Sequence, residues 1–203
     1  MGKILSSKLQ EKDLNGRVLL MKVDSEEIQM QNLKYIIRSA TENDAKSLSF
    51  VRLQIDGETE NLDREKGEAF LDEASFKQLI KKDTDNSKNL FLVAEVYGEI
   101  AGFSRCEGSH LKRSAHKVEF GVGVLKEYWG FGIGKNLLKE SIKWADSNEI
   151  KKITLSVLET NVKAIELYRK NGFNVEGILK NDKYLSDGKY YNTVVMGRVF
   201  QTN

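Results

Sequence analysis

The residues from 128 to 135 combine three glycines and a lysine in a pattern suited to binding a diphosphate. This segment, called the phosphate loop below, reads Tyr128-Trp129-Gly130-Phe131-Gly132-Ile133-Gly134-Lys135. Glycine at every second position removes side chains that would keep a ligand from the backbone, and it permits the dihedral angles that aim successive N–H groups inward. A helical pattern follows, and the free donors and positive dipole end of a helix N-terminus favour an anion. We therefore expect a diphosphate here.

Two common glycine motifs do not fit this spacing. A nucleotide P-loop requires Gly-x4-Gly-Lys-Ser/Thr, but Gly134-Lys135 is followed by Asn136, which has no hydroxyl for magnesium. The dinucleotide motif belongs to a first βα unit, whereas these glycines come after four candidate strands. A glycine-rich turn without a ligand stays open as one alternative. A nucleotide-dependent enzyme is another, and its activity would depend on magnesium.

Two motifs together resemble the GCN5-related N-acetyltransferases over roughly residues 35–199. Val124-x4-Trp129-x-x-Gly132-x-Gly134 looks like the coenzyme A motif of that family. The second motif of the family resembles Asn161-x-x-Ala164-x-x-x-Tyr168-x-x-x-Gly172-Phe173. The resemblance implies an enzyme that moves an acetyl group from acetyl-CoA to a primary amine by direct attack in a ternary complex. A coenzyme A-binding regulatory module without catalysis is the alternative.

The resemblance also assigns residues to the cofactor. It implies that the strand ending at Val124 is splayed by a bulge from a parallel neighbour, which opens a slot for the pantetheine arm; Gly121 and Gly123 suit a bulge or a close backbone approach. An N–H between Val122 and Val124 would polarise the thioester carbonyl. Many members carry Gln or Arg where this chain has Trp129, and the variant resembles a subgroup acting on protein N-termini, amino acids, polyamines or antibiotics. The expected cofactor-binding residues are Val122, Gly123, Val124, Trp129, Gly130, Phe131, Gly132, Ile133, Gly134, Lys135, Asn161 and Ala164.

Two side chains are expected to carry the proton transfers. Tyr168 matches the family tyrosine that gives a proton to the departing sulfur, although a core tyrosine would look the same. Glu119 lies on the strand that ends at Val124 and alternates with apolar residues, so it is the candidate general base, acting through water. A solvent-facing carboxylate is the other reading of Glu119. Asn161 can bond the pantetheine amides or simply cap a helix.

An acidic segment bears on the acceptor. The segment from Ile55 to Glu73 contains eight acidic residues and two basic ones. In the family that this chain resembles, this connection borders the entrance for the acceptor. A negative rim would attract a cationic amine, which is our hypothesis, whereas a solvated acidic helix is the alternative. Tyr184, Tyr190 and Tyr191 are expected to line the acceptor side. The eight acids are Asp56, Glu58, Glu60, Asp63, Glu65, Glu68, Asp72 and Glu73.

The composition excludes several other classes of protein. The 203 residues are 40% apolar and 31% charged. The net charge is only +2, so the chain has no strong overall electrostatic field that would attract nucleic acid or a membrane surface. Cys106 is the lone cysteine, so no intramolecular disulfide can form, and the chain has no apolar run that could span a bilayer. We expect a cytoplasmic protein. His110 and His116 lack metal-ligand spacing, so no metal site is expected.

The elements that must position these residues follow from periodicity. We predict an N-terminal extension over residues 1–33 and one N-acetyltransferase domain over 34–203. We expect an α/β (α+β) domain with a mixed sheet of six or seven strands and about four helices. The resemblance implies that this sheet is mostly antiparallel and includes a splayed parallel pair. The phosphate loop joins a strand over Lys117 to Val124 to a helix from about Ile133 to Ser147. The apolar patch at residues 18–21 fits either packing on the core or a dimer contact, and together with the final hairpin it makes a homodimer plausible.

Overall fold

The protein folds around one eight-stranded mixed sheet. The computed structural model describes residues 11–12, 18–19 and 23–200. Glu11–Lys12 (β1) and Val18–Leu19 (β2) form a short antiparallel pair. The strands of the large sheet are β3 (Glu26–Met30), β4 (Leu33–Ser39), β5 (Leu90–Val96), β6 (Glu99–Gly108), β7 (Lys117–Val124), β8 (Lys152–Leu158), β9 (Asn174–Tyr184) and β10 (Tyr190–Val199). The helices are α1 (Ala45–Glu58), α2 (Glu73–Thr84), α3 (Ile133–Ser147) and α4 (Val162–Lys170).

The strand order is β3-β4-β5-β6-β7-β8-β10-β9. All neighbouring strands pair antiparallel except β7 and β8, which are parallel and joined through α3. The predicted fold class is therefore confirmed. The sheet has one strand more than the upper prediction, because β3 falls within the predicted N-terminal extension and pairs with β4 along its whole length. The side chains of the apolar patch at residues 18–21 lie outside the described residues.

Helices cover both faces of the sheet and create two apolar cores. On one face, α3 and α4 bury Leu137, Trp144 and Tyr168 against the even-numbered residues of β7, including Phe120. On the other face, α1 and α2 bury Leu48 among apolar residues of β5. Because successive strand residues point to opposite faces, each residue of β7 is assigned to one of these two cores. Glu119, with its neighbours at every second position, belongs to the α1 face.

Local sequence signals set the ends of the helices. The Thr41 N–H donates to the Asp44 carboxylate at 2.7 Å, as a capping box requires, and a 3₁₀ turn leads into α1. This helix runs from Ala45 to Glu58. α2 begins after Asp72, whose side chain accepts the Ser75 N–H at 2.8 Å, and α4 begins after Asn161, whose side chain accepts the Ala164 N–H at 3.3 Å. No helix in the described ranges is both long and apolar enough to cross a bilayer.

Candidate functional site

The parallel ladder between β7 and β8 ends early and leaves a gap inside the sheet. Its pairs run only from Lys117 with Lys152 to Glu119 with Thr154. Beyond that point β7 continues beside β6 and β8 continues beside β10. A polar-backbone slot therefore opens between the two strands toward their carboxyl ends, as expected.

The expected bulge in β7 is wrong. The pairing of β7 with β6 keeps one register from Val118 to Val124 without interruption. The slot arises instead because the β7 to β8 ladder stops. Of the two glycines, Gly123 allows a close approach, because a Cβ there would lie 3.3 Å from Ile55 Cδ1 on α1. A Cβ at Gly121 would meet no atom within 4 Å, so that glycine is not required by close packing.

The backbone of β7 points donors into the slot. Leu125 N–H donates to Ala101 O at 2.9 Å, beyond the end of the β6 ladder. Since hydrogen-bonding direction alternates along an antiparallel pair, the N–H groups of Val122 and Val124 face away from β6. These donors lie beyond the last β7 to β8 pair, so they border the slot, where the sequence analysis expects the thioester carbonyl.

The phosphate loop presents six consecutive free donors. Among the described residues, the N–H groups of residues 130–135 have no acceptor, and the first bonded amide after them is Asn136 N–H, which donates to Gly132 O at 3.0 Å. Gly130 and Gly132 have φ values of +89° and +75°, which favour glycine. Gly132 is left-handed and the right-handed helix α3 follows directly, and such a pair of conformations aims successive N–H groups at one point, which forms an anion nest. These residues therefore fit a diphosphate.

The two outer glycines of this loop differ in their surroundings. A Cβ at Gly130 would meet no atom within 4 Å, so the space in front of the backbone is open there. At Gly134, in the first turn of α3, a Cβ would make an ordinary 3.7 Å contact with Val124 Cγ2. Lys135 and Trp129 are exposed, while Phe131 is partly buried and Ile133 is buried in the core.

Trp129 connects the phosphate loop to the end of β7. Its indole N–H donates to the Val124 carbonyl at 2.8 Å, and its ring is 46% exposed. The donor of this side chain is therefore already occupied by protein. Its expected place in cofactor binding stays a prediction, and the observed contact makes it a brace for the loop rather than an anion ligand.

Tyr168 lies beside the slot with its hydroxyl unpartnered. The residue is 7% exposed, and its ring meets the Phe120 ring of β7 at 6.5 Å and 81°. The described residues provide no hydrogen-bond partner for the hydroxyl, yet the oxygen is not fully enclosed. Burial raises the pKa of Tyr168 to about 12, so the hydroxyl keeps its proton at neutral pH. This is the state that a proton donor requires.

Asn161 and Ala164 form the start of α4. Asn161 Oδ1 accepts the Ala164 N–H, so the helix-cap reading is present in the structure. Both residues are partly exposed, and no hydrogen bond of the Asn161 Nδ2 group to another described residue occurs. The amide end remains able to donate to a ligand, and the pantetheine role stays a prediction.

Glu119 lies at the last pair of the parallel ladder. Its side chain is exposed on the α1 face and forms no ion pair or hydrogen bond with any described residue. Opposite it on β6, Glu107 is paired with Arg105 at 2.8 Å and with Lys82 at 3.3 Å. Glu119 lies about 10 Å along the strand from Val122, so it can reach a reacting amine only through water.

The acidic segment lies across the open end of the slot, but most of its carboxylates have protein partners. Asp56 is buried and pairs with Arg64 at 3.1 Å. Glu58 accepts the Lys126 N–H at 2.7 Å just after β7. Further along, Glu60 accepts the Ser186 N–H at 2.9 Å, and Asp63 pairs with Lys183. The segment therefore connects the end of β7 to the β9–β10 hairpin, and its free negative charge is smaller than the sequence suggests.

The three tyrosines of the final hairpin lie near this connection. Tyr184 and Tyr190 are exposed, with ring centroids 5.1 Å apart. Tyr191 donates its hydroxyl to Asp187 at 2.6 Å. They lie at the same end of the sheet as the opening of the slot, because β9 ends and β10 begins where β7 and β8 end.

Three residues behind the phosphate loop carry no recognisable signal in the sequence. Tyr35 on β4 and Asn136 on α3 join by a 2.6 Å hydrogen bond, and Met30 on β3 packs against Gly132. No spacing rule could have found these residues, since about 100 positions separate Tyr35 from Asn136 in the chain. Within the described part of the chain no group of acidic, His or Cys residues is arranged to hold a metal ion.

Comparisons with known proteins agree with this geometry. The family model described as Acetyltransferase (GNAT) family matches residues 41–173. The L-amino acid N-acetyltransferase AaaT of Escherichia coli is 33% identical over 110 residues, which are 53% of this chain and 67% of that protein. The spermidine N(1)-acetyltransferase of Escherichia coli is 35% identical over 114 residues, 55% of this chain and 59% of that protein.

A solved structure extends the likeness over most of the fold. The acetyltransferase of the GNAT family from Streptococcus pneumoniae superposes with a TM-score of 0.79 at 28% identity. The match covers 82% of this chain and 99% of that one.

Proposed function

Because the chain belongs to the acetyltransferase (GNAT) family and acetyl-CoA is the cosubstrate, we propose that a primary amine takes the acetyl group by direct attack in a ternary complex. Acetyl-CoA supplies an acyl carbon activated as a thioester. The residues of this chain bind its diphosphate, orient its carbonyl and move two protons. The observation that carries the proposal is the row of six unpaired N–H groups at the opening of the slot between β7 and β8.

The two proton-transfer groups lie on opposite faces of the sheet. Tyr168 packs against Phe120 on the face covered by α3 and α4, whereas Glu119 points to the α1 face. A thioester passing through the slot would therefore have its sulfur on the side of Tyr168 and its acyl carbon open to an amine from the side of Glu119. This arrangement supports direct attack, since neither proton has to cross the sheet.

The backbone donors of β7 would stabilise the charge that develops on the carbonyl oxygen. Val122 and Val124 direct their N–H groups into the slot, and those groups are fixed by the ladder with β6. Fixed dipoles of this kind need no reorganisation during the reaction, which makes their stabilisation of an oxyanion large. Tyr168 gives its proton to the departing sulfur, and Glu119 takes the ammonium proton through water.

For the acceptor we propose a cationic primary amine. The connection from Thr59 to Asp72 borders the open end of the slot and carries acids that outnumber bases, beside the exposed Tyr184 and Tyr190. Such a surface attracts cations by charge and by the aromatic faces. The likeness to a spermidine N(1)-acetyltransferase supports this class, and the likeness to an L-amino acid N-acetyltransferase provides the rival to test.

The test is thiol release from acetyl-CoA with a panel of amines, together with calorimetric binding of coenzyme A. We expect acceptor-dependent thiol release, highest with polyamines. Turnover with neutral amino acids but none with cationic amines would overturn the acceptor class. Tight coenzyme A binding without release for any amine would support a regulatory module, and absence of binding would remove the cofactor assignment.

A further inference from the structure

The phosphate loop is held from behind by a chain of hydrogen bonds that reaches β4, the strand next to the edge of the sheet. Asn136 Nδ2 donates to the Tyr35 hydroxyl at 2.6 Å, and that hydroxyl donates to the Phe131 carbonyl at 3.4 Å. Tyr35 is 1% exposed and lies on β4, outside every motif used to recognise the site. The bonds therefore join the first long strand of the sheet to the loop that follows β7.

The bond to the Phe131 carbonyl fixes the direction of one free donor, the Gly132 N–H, because peptide groups are planar. In a trans peptide the carbonyl and the following N–H point in opposite directions. The Phe131 carbonyl turned toward Tyr35 therefore turns the Gly132 N–H away from the protein body. In the next peptide, the Gly132 carbonyl accepts the Asn136 N–H at 3.0 Å, which turns the Ile133 N–H outward in the same way.

The surroundings leave this arrangement little freedom. A Cβ on Gly132 would lie 2.3 Å from Met30 Sδ and 3.9 Å from the Tyr35 hydroxyl, so β3 and β4 pack directly on the back of the loop. Burial raises the pKa of Tyr35, although the bond from Asn136 acts in the opposite direction. The hydroxyl therefore stays protonated and keeps both its donor and its acceptor in use at neutral pH.

We propose that the side chains of Tyr35 and Asn136 are positioning groups that aim the Gly132 N–H at the diphosphate of acetyl-CoA. Neither side chain touches the cosubstrate. Their effect comes from pre-organisation, since donors already fixed toward an anion lose less entropy when the anion binds. The inference rests on the proposed function, because it assumes that the phosphate loop holds this diphosphate.

The experiment separates the diphosphate half of the cosubstrate from the reacting half. Tyr35→Phe removes only the hydroxyl, and Asn136→Ala removes its partner. By isothermal calorimetry we expect the dissociation constant for coenzyme A to rise about fivefold in each variant, the size of one net hydrogen bond. S-acetylpantetheine lacks the diphosphate, so kcat/KM with this alternative donor should stay within twofold of wild type.

Two controls distinguish positioning from general loss of structure. Ile150→Val shortens a buried core side chain between α3 and β8, away from the loop, and gives a destabilised protein that should bind coenzyme A as wild type does. The double variant Tyr35→Phe with Asn136→Ala should bind no more weakly than either single variant, because one chain of bonds is broken in all three.

Each result decides the question. Unchanged coenzyme A affinity in Tyr35→Phe overturns the inference and leaves the proposed function intact. A parallel loss with S-acetylpantetheine, or weaker binding in Ile150→Val, assigns Tyr35 to the general fold and also overturns it. Wild-type protein that binds no coenzyme A contradicts the proposed function itself, a different outcome from the failure of the variants.

Discussion

At the scale of single residues, the site depends on where each side chain has or lacks a partner. Tyr168 keeps a proton that no described residue shares, and Glu119 keeps a carboxylate that no described cation neutralises. Most other acids near the slot already have partners, as Glu58 and Glu60 do. Tyr168 on α4 and Glu119 on β7 thus have unused hydrogen-bonding capacity on opposite faces of the sheet, which suits the two proposed proton transfers.

Tyr168→Phe should slow turnover while leaving cofactor binding intact. The ring contacts with Phe120 and Phe173 persist in the variant, and only the proton donor is lost. We expect kcat to fall roughly 100-fold, the low end for loss of a general acid, with an unchanged dissociation constant for coenzyme A. Steady-state kinetics and calorimetry check both values. A normal kcat would demote Tyr168 to a core residue.

Glu119→Gln should change the pH dependence of the rate. Without the carboxylate, only amine already deprotonated in solution can react, so kcat/KM should fall at neutral pH and recover as the pH rises toward the pKa of the amine. The pH–rate profile from pH 6.5 to 10 measures this. Glu107→Gln is the matched control. Glu107 lies on β6 directly opposite Glu119 on β7, but it is ion-paired with Arg105 and Lys82. Identical profiles for wild type and Glu119→Gln would assign the base to water or another carboxylate.

At the scale of elements, local sequence patterns predicted the bounds of single strands and helices, because local interactions determine those bounds. The bounds of β7 and α3 follow from alternation and helical spacing, and the structure has them at Lys117–Val124 and Ile133–Ser147 as predicted. The end of the β7 to β8 ladder and the pairing of β3 with β4 depend on distant chain segments, so periodicity could not supply them. For the same reason the expected bulge in β7 is wrong, and Tyr35 went unnoticed.

The start of α3 provides a matched pair of glycine substitutions. Gly134→Ala should stabilise the protein by about 0.5–1 kcal/mol, because the helix gains propensity and the new methyl group makes an ordinary contact with Val124. Gly132→Ala should destabilise it by about 1–2 kcal/mol, since its φ of +75° disfavours a side chain and Met30 lies in the way. Urea unfolding gives both values. We expect weaker coenzyme A binding only in Gly132→Ala, and equal effects of the two changes would contradict this account of the loop.

At the scale of the whole molecule, one sheet supports both halves of the site. The phosphate loop rests on β3 and β4 at one edge, while the acidic connection joins the end of β7 to the β9–β10 hairpin at the other. β3 belongs to this sheet although it precedes the predicted domain boundary at residue 34. A loss of stability anywhere in this sheet should therefore also disturb the candidate site.

Stability should fall with rising pH because of the buried thiol of Cys106. Burial raises its pKa from 9.0 to about 12, so its contribution is complete below about pH 9 and is lost as the pH rises toward 12. Between pH 9 and 10.5 the free energy of unfolding should drop by about 2 kcal/mol through this group. Cys106→Ala should lose less over the same range, as urea unfolding at several pH values can measure. Equal slopes in the two proteins would show that the thiol does not govern this loss.

The hydrogen bond from Trp129 to the Val124 carbonyl has an optical consequence. The sequence has two tryptophans, and the other, Trp144, is 2% exposed in the core beneath α3, whereas Trp129 is 46% exposed at the start of the phosphate loop. Emission from Trp144 should stay blue and constant, while the redder emission of Trp129 should respond when the neighbouring backbone meets an anion. Under the proposed function, Trp129 should therefore report cosubstrate loading by its fluorescence, with Trp144 as the internal reference.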